Sequence, residues 1–465
     1  MKFFNTYTRK LQNFVPVDDG KVKMYVCGPT VYDLIHIGNA RPIVIFDCLR
    51  QYLVYRGFEV TYVQNFTDVD DKIIKRAIEQ NVSFDEVVRK NILEYEKDVQ
   101  GLRVEKPTFA PRVSENVDLI IDFIQNLINK GCAYEAAGDV IFKTESFKNY
   151  GKLSRMDLNS LNAGARIELS KIKQNKLDFV LWKAAKPNEP FWASPWGNGR
   201  PGWHIECSAM ASEFAAKTLD FHCGGRDLIF PHHENEIAQS ECKNGVRFAN
   251  CWLHNGHITV NSKKMSKSLG NFFTVRQIAD EFGYDVLRFL LVQAHYRAPI
   301  SYDEGLMKQC VSALDRIKTF RQNLNFAITK SVDGVVSESL LKKLNCFKSK
   351  FFEALDFDFN TADAVAVIFE LIKNMADFVS LKIETSKQNL IEILNLFEHL
   401  VGLLKIVPEE LQVKVPQHVL ELFQRRNEAR KLKQFDVADS LRNEIEKLGY
   451  CVEETRKGSR LILKK

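Results

Sequence analysis

The sequence predicts an α/β protein whose open parallel sheet binds a nucleotide, with an insertion in its middle and a mostly helical C-terminal part. Three observations lead there. Residues 22–26 (VKMYV) have the β-branched and aromatic character of a short buried strand, Gly28-Pro29 interrupts the run, and Ile43, Phe46, Leu49 and Leu53 then recur at helical spacing. The alternation of strand-like and helical runs returns at 59–72 and 219–243. From Met307 to about Val407 the apolar stripe is helical throughout, as in a bundle.

The first unit carries most of the chemistry. Where a strand turns into a helix, the free N–H groups and positive end of the helix face a ligand, and Gly38 removes the side chain that would block a base or phosphate. His36 and Asn39 flank that glycine; a lone His-Ile-Gly also reads as an ordinary helix cap. In EVTYVQNFTDVDDK (59–72) a second strand runs into an acidic helix start. Thr67-Asp68 sits at its end, where ligands of open sheets collect and where an N-cap pair is the plain alternative. Residues 112–199 break the alternation with an amphipathic helix (VDLIIDFIQNLINKG), a hairpin-like run at Asp139–Phe142 and a loop rich in Pro, Gly and Trp. The alternation resumes at 203–241, where LDFHCGG (219–225) reads as a strand and Pro231 precedes the helix HHENEIAQSECK. Pro408 and Pro416 punctuate the helical region, and 417–465 reads as a basic helix pair with a strand-like tail.

Cys27, Cys207, His232 and Glu236 form the candidate metal set. His232 and Glu236 stand four apart on one predicted helix and share a face, but His233 with Glu236 is an equally legal pair. The two cysteines are expected at strand or loop ends of the two halves of the sheet. Each taken alone is ordinarily a small buried hydrophobe, so spacing does not choose among these alternatives.

A chain of 465 residues accommodates two to four domains, and its net charge of +6 does not by itself announce a nucleic-acid protein. The distribution says more. Residues 417–465 hold 12 Lys/Arg against 8 Asp/Glu, +4 of the total, which gathers basic charge at one end. With no signal pattern and no run of 18 apolar residues, a soluble cytoplasmic protein without a membrane partner is expected. The ten irregularly spaced cysteines agree with that compartment.

HIGN (36–39) and KMSKS (264–268) together resemble the paired signatures of class I aminoacyl-tRNA synthetases. MYVCGPTVYDLIHIGNAR (24–41), NFTDVDDKIIKRA (65–77), RPGWHIECSAM (200–210) and DLIFPHHENEIAQSE (227–241) look like cysteinyl-tRNA synthetase, a resemblance covering nearly the whole chain and weakening after about residue 300. It implies a Rossmann-like catalytic core in two halves, 1–111 and 200–250, split by a connective insertion at 112–199 too small for an editing domain. It further implies a stem-contact region with the KMSKS loop at 251–310, a helix bundle at 311–407 and an anticodon-binding domain at 408–465. Asn39 stands where many class I enzymes have a second histidine. DVLRFLL (285–291) is close to the family's Asp-Ala-Leu-Arg word, with Val286 replacing the alanine.

The activity so implied is ATP-dependent activation of L-cysteine to cysteinyl-adenylate, then transfer to the 3′ end of tRNA(Cys); a monomer is expected. The resemblance gives ATP to His36, Gly38, Asn39, His222, Gly224, Gly225, Lys264, Met265, Ser266, Lys267 and Ser268. Catalysis falls to His36, Asn39, Lys264 and Lys267, with Mg2+ accompanying ATP. Cysteine goes to Gly28, Thr67, Trp203 and Asp227. The resemblance selects His232 and Glu236 to join Cys27 and Cys207 around one zinc per chain, a metal suited to thiolate, imidazole and carboxylate. A substrate thiol near pKa 8.5 ionises on such a metal far more readily than an alcohol. Serine would be rejected chemically, where shape alone discriminates near-isosteres by only about 10²-fold.

Three rivals have their own signatures. A cysteine ligase acting on an amino sugar would share the catalytic words but lack a full tRNA-binding tail, a non-catalytic paralogue would have lost motif positions that here are intact, and a zinc hydrolase would need HExxH where 232–236 reads HHENE.

Overall fold

The computed structural model describes residues 1–156, 173–187, 189–260, 263–264, 272–380, 382–407, 415–455 and 458–463. Its centre is a sheet of four parallel strands: β1 (Lys21–Val26), β2 (Glu59–Gln64), β3 (Leu219–Gly225) and β4 (Ala249–Asn255), in the order β4-β3-β1-β2. Val22, Met24, Tyr25 and Val26 of β1 are buried, as a strand inside such a sheet requires. Chain order reverses between β1 and β3, so this junction is the switch point at which open sheets take their ligands.

Four helices position the site: α1 (Ile37–Tyr55), α2 (Asp71–Gln80), α3 (Trp203–Phe214) and α4 (Glu234–Asn244). His36 does cap α1. Its Nδ1 accepts from the Asn39 N–H at 3.3 Å while Asn39 Oδ1 accepts from the His36 N–H at 3.3 Å, a reciprocal capping box. The cap of α2 is Asp70, accepting from the Lys72 N–H at 2.8 Å, rather than Thr67-Asp68. Asp68 instead accepts from the N–H and hydroxyl of Ser114.

One expectation needs correcting: Cys207 lies in the body of α3, not at a strand or loop end. Ile205 through Ala211 are buried without interruption, so this helix has no polar stripe from which its period could be read.

The insertion folds as a helix, Val117–Asn129, and an antiparallel meander of four strands, Ala133–Ala136, Asp139–Phe142, Phe179–Ala184 and Gly199–Pro201. Beyond β4, Ile258–Val260 pairs with the two-residue strand Lys263–Lys264 and, in parallel, with Ile300–Tyr302. The charged residues of DVLR serve this part of the chain internally. Asp285 pairs with Arg103, and the buried Arg288 donates to the carbonyls of Leu102 at 2.6 Å and Leu404 at 3.1 Å.

Two compact units result. The first comprises residues 1–315, 347–369 and 403–406; the second comprises 316–346, 370–402 and 407–465. Long helices run over Glu304–Lys330, Glu338–Asp356, Thr361–Val379 and Lys387–Leu404, as the apolar stripe predicts. The basic tail is a helix pair, Gln417–Lys431 and Phe435–Lys447, with a hairpin of Tyr450–Thr455 and Gly458–Leu463. Part of its basic charge is spent internally: Arg426 is buried against Glu454, which Arg430 also reaches, and Arg460 pairs with Glu453.

Candidate active site and metal centre

A cavity of about 580 Å3 opens at the carboxyl ends of the four strands. One end is lined by Cys27, Gly28, Thr67, Trp203, Cys207 and His232, and the start of α1 contributes His36, Gly38 and Asn39. Gly225 and Asp227 also reach it. His222, Gly224 and Glu236 do not line this cavity. Lys264 belongs to the short strand Lys263–Lys264, while Met265, Ser266, Lys267 and Ser268 lie outside the described residues.

The ligand-type atoms of Cys27, Cys207, His232 and Glu236 all fall within 4.8 Å of one another. His232 Nε2 is 3.1 Å from Glu236 Oε1, one helical turn apart, and Cys27 Sγ is 3.6 Å from the same oxygen. The alternative left open by spacing is also present in space, because Cys27 and Glu236 cluster equally with His222 and His233. Access separates the two sets. Cys207 and His232 line the cavity, whereas His222 and His233 are fully buried and do not, so the first set brings three ligands, Cys27, Cys207 and His232, to the cavity and the second only Cys27.

The donor types fit a borderline-soft dication: two sulfurs, one imidazole and one carboxylate. The electrostatics agree. Burial, with Cys207 and Glu236 beside it, pushes the Cys27 thiol well up. A hydrogen bond with Cys27 pulls Cys207 down, but burial and Glu236 together leave it raised. Burial holds His232 well below the usual imidazole range. Both thiols are thus protonated unless a cation draws their protons off, while the imidazole is already in its ligating neutral form.

A second layer holds these side chains. Glu236 Oε2 lies 2.8 Å from Nε2 of His222, whose ring stacks on Trp252 at 4.4 Å. His232 is oriented by His204 at 2.9 Å and by Trp203, whose ring stacks on it at 4.5 Å while remaining 41% exposed. Thr67 donates to the buried Glu206 at 3.1 Å, and burial raises that carboxyl well above the ordinary range. The Gly28 N–H donates to Asn65 Oδ1 at 2.9 Å. A side chain at 28 would overlap the Asn65 carbonyl, so glycine is required there by close approach of the two strand ends. Gly224 and Gly225 are tight for similar reasons, against the His233 ring and the Asp227 carboxylate.

Residues 13–312 match the family described as tRNA synthetases class I (C) catalytic domain, 350–407 the DALR domain, and 413–460 the cysteinyl-tRNA ligase anticodon binding domain. The chain is 49% identical over 463 residues to the cysteine–tRNA ligase of Clostridioides difficile, covering 98% of this chain and 99% of that one. It is 48% identical over 465 residues to that of Caldicellulosiruptor saccharolyticus, covering 99% of each. The chain belongs to the cysteinyl-tRNA synthetase family. It is therefore an ATP-dependent ligase that forms aminoacyl-tRNA, a cysteine–tRNA ligase. The fold agrees at lower identity: the Mycobacterium tuberculosis methionyl-tRNA synthetase in complex with methionyl-adenylate superposes with a TM-score of 0.63 at 12% identity, over 83% of this chain and 91% of that one. No helix among the described residues is long and apolar enough to cross a membrane.

Sequence reasoning missed several residues of this synthetase's site. Asn65 and Glu206 hold Gly28 and Thr67, and Lys72, Asn255 and His257 line the cavity. Asn65 carried a usable signal, an amide directly after an apolar strand. Glu206 carried none, because its partner Thr67 is 139 positions away.

Proposed function

We propose that this chain activates L-cysteine with ATP to cysteinyl-adenylate and passes the cysteinyl group to the 3′ end of tRNA(Cys). Cys27, Cys207, His232 and Glu236 would hold one zinc ion. The observation that carries the reading is this thiol, imidazole and carboxylate set, whose two thiols and imidazole line a cavity to which the N-terminus of α1 also contributes. Zinc held there would supply Lewis acidity that favours a thiolate over the alcohol of serine.

The chain's own residues do the rest. Gly28, Thr67, Trp203 and Asp227 seat the amino acid beside the metal ligands, and His222 fixes the Glu236 carboxylate. His36, Asn39 and the first amides of α1 meet the phosphates of ATP with its Mg2+, near Gly38, Gly224 and Gly225. Lys264, Met265, Ser266, Lys267 and Ser268 form the loop whose lysines meet the departing pyrophosphate. Aligning carboxylate and α-phosphate is the main catalytic task, since little proton transfer is needed. The insertion at 112–199 joins the halves of the core, 251–310 contacts the acceptor stem, 311–407 forms the bundle and 408–465 reads the anticodon. The protein acts as a cytoplasmic monomer.

Cysteine-dependent exchange of pyrophosphate into ATP, followed by charging of purified tRNA(Cys), tests the reading. Deleting 417–465 should leave exchange largely intact, since every residue assigned to adenylate formation precedes 271, and should abolish charging together with salt-sensitive tRNA binding. A truncated protein that charges as well as the full chain refutes the assignment of the tail. A full chain that makes the adenylate but charges no tRNA points to the amino-sugar ligase instead.

A further inference from the structure

Arg41, one turn into α1, is completely buried, and all its hydrogen-bond partners among the described residues are main-chain carbonyls. Nη1 donates to the oxygens of Gly256 at 2.8 Å and His257 at 3.3 Å, and Nη2 to that of His295 at 3.1 Å. Nε makes no hydrogen bond among the described residues. Burial lowers its pKa to about 10. A guanidinium placed in the interior without a carboxylate is costly, and a hydrocarbon of similar volume would fill the space without that cost. What a hydrocarbon lacks is a rigid fork that grips two separate backbone segments at once.

The gripped segment matters to the site. Asn255, Gly256, His257, Ile258 and Thr259 all line the cavity that receives His36, Gly38 and Asn39. The stretch after His295 packs on the same wall: Gly256 donates to the Tyr296 carbonyl at 2.8 Å, the His257 carbonyl accepts from Ile300 at 3.0 Å, and a side chain at 256 would collide with the carbonyls of Arg297 and Ala298. The same segment continues into Ile258–Val260 and its partner strand Lys263–Lys264, where KMSKS begins.

We propose that Arg41 is a positioning residue of the nucleotide pocket: its fork fixes the Gly256–His257 wall, and with it the root of the KMSKS loop, against the HIGN helix. The inference rests on the placement of ATP proposed above. It assigns Arg41 no contact with substrate; the residue acts through the carbonyls it holds.

The test uses full-length, zinc-loaded protein carrying Arg41→Met or Arg41→Lys, assayed by pyrophosphate exchange with ATP and cysteine varied separately. Loosening the wall by about 1 Å should raise the KM for ATP and lower kcat, together about 10- to 100-fold in kcat/KM for ATP. Zinc content and the KM for cysteine should stay within about twofold, because the metal-binding end of the cavity does not depend on this contact. Arg41→Lys keeps the charge but reaches fewer carbonyls, so it should recover part of the loss and rank between wild type and Arg41→Met. Unchanged ATP parameters in both variants overturn the proposal, as does a parallel rise in both KM values with zinc lost, or failure of both variants to fold, since each of these leaves Arg41 a purely structural residue. Absence of exchange in the wild type is a different failure, that of the functional reading itself.

Discussion

Substituting Gly28 by alanine perturbs the site through one methyl group whose effect can be worked out in advance. Gly28 follows Cys27 at the end of β1, and its backbone φ is not among the positive values, so alanine meets no penalty from its own dihedrals. The penalty comes from across the sheet, where the new Cβ would occupy the place of the Asn65 carbonyl oxygen. That oxygen is main chain and cannot swing aside. The ends of β1 and β2, paired in register up to Val26 and Gln64, must part by about 1 Å or more, a misplacement that typically costs about 10²-fold in rate. Cys27 moves with one strand end and Thr67 with the other, so the part of the cavity proposed to seat cysteine is disturbed directly. We expect kcat/KM for cysteine to fall about 10²-fold, about 2.7 kcal/mol of transition-state stabilisation, with a loss of about 1–3 kcal/mol in folding stability from overpacking. Pyrophosphate exchange over a cysteine series at saturating ATP reads the first, and urea unfolding the second. A Gly28→Ala protein with wild-type kcat/KM and full zinc content would show that the strand ends yield freely and that the close approach has no role in the site.

Cys207→Ser should lose zinc and cysteine affinity together, by about 10- to 100-fold or more, because an alcohol is a poor ligand at neutral pH; active wild-type protein found free of zinc by elemental analysis refutes the metal assignment. Lys267→Ala should slow adenylate formation much more than it weakens ATP binding, since its charge is needed as pyrophosphate departs; a pure binding loss at unchanged turnover contradicts that role. Glu454→Gln probes the C-terminal unit: burial pushes this carboxyl up, but Arg426, Ser459 and Arg430 outweigh it and leave its pKa depressed. The resulting stability exists above the unfolded carboxylate pKa of about 4.3 and disappears as pH falls through the lower folded value. At pH 7 the variant should be about 1–2 kcal/mol less stable, the low end for a broken pair because water screens the half-exposed Glu454; urea midpoints that fail to converge in acid contradict this.

What was legible in the sequence follows from where each signal resides. The strand at 22–26, its end before Gly28-Pro29 and the helix after it are local, and they stand as read. The helical stripe beyond Met307 is periodic, and it too stands. Cys207 was misplaced because α3 is buried on all sides over Ile205–Ala211, which erases the period by which a helix is recognised. Arg41 and Glu206 were passed over because their partners lie 215 and 139 positions away, and a buried polar residue declares its task only through them. The choice between His232 and His233 was undecidable from spacing. In space both cluster with Glu236, and only exposure to the cavity separates them.

Cap and phosphate site, posed as alternatives for His36, are compatible, since the capping residue also lines the cavity. Because Nδ1 of His36 accepts from the Asn39 N–H, the ring proton of neutral His36 must sit on Nε2, the atom turned away from the cap. Because Oδ1 of Asn39 accepts from the His36 N–H, the amide is oriented with its NH2 group on the other side. The capping box thus selects the tautomer of one residue and the flip of the other. For the adenylation proposed here, donors set before substrate arrives need no reorganisation as charge builds on the α-phosphate, which is where such groups contribute most to rate. An asparagine in place of a second histidine fits this arrangement, because a neutral imidazole offers a single acceptor and a single donor on a rigid ring, whereas the amide places both on one carbon. In the adenylation proposed here, the helix start that makes His36 an ordinary cap would also prepare it for the phosphates of ATP.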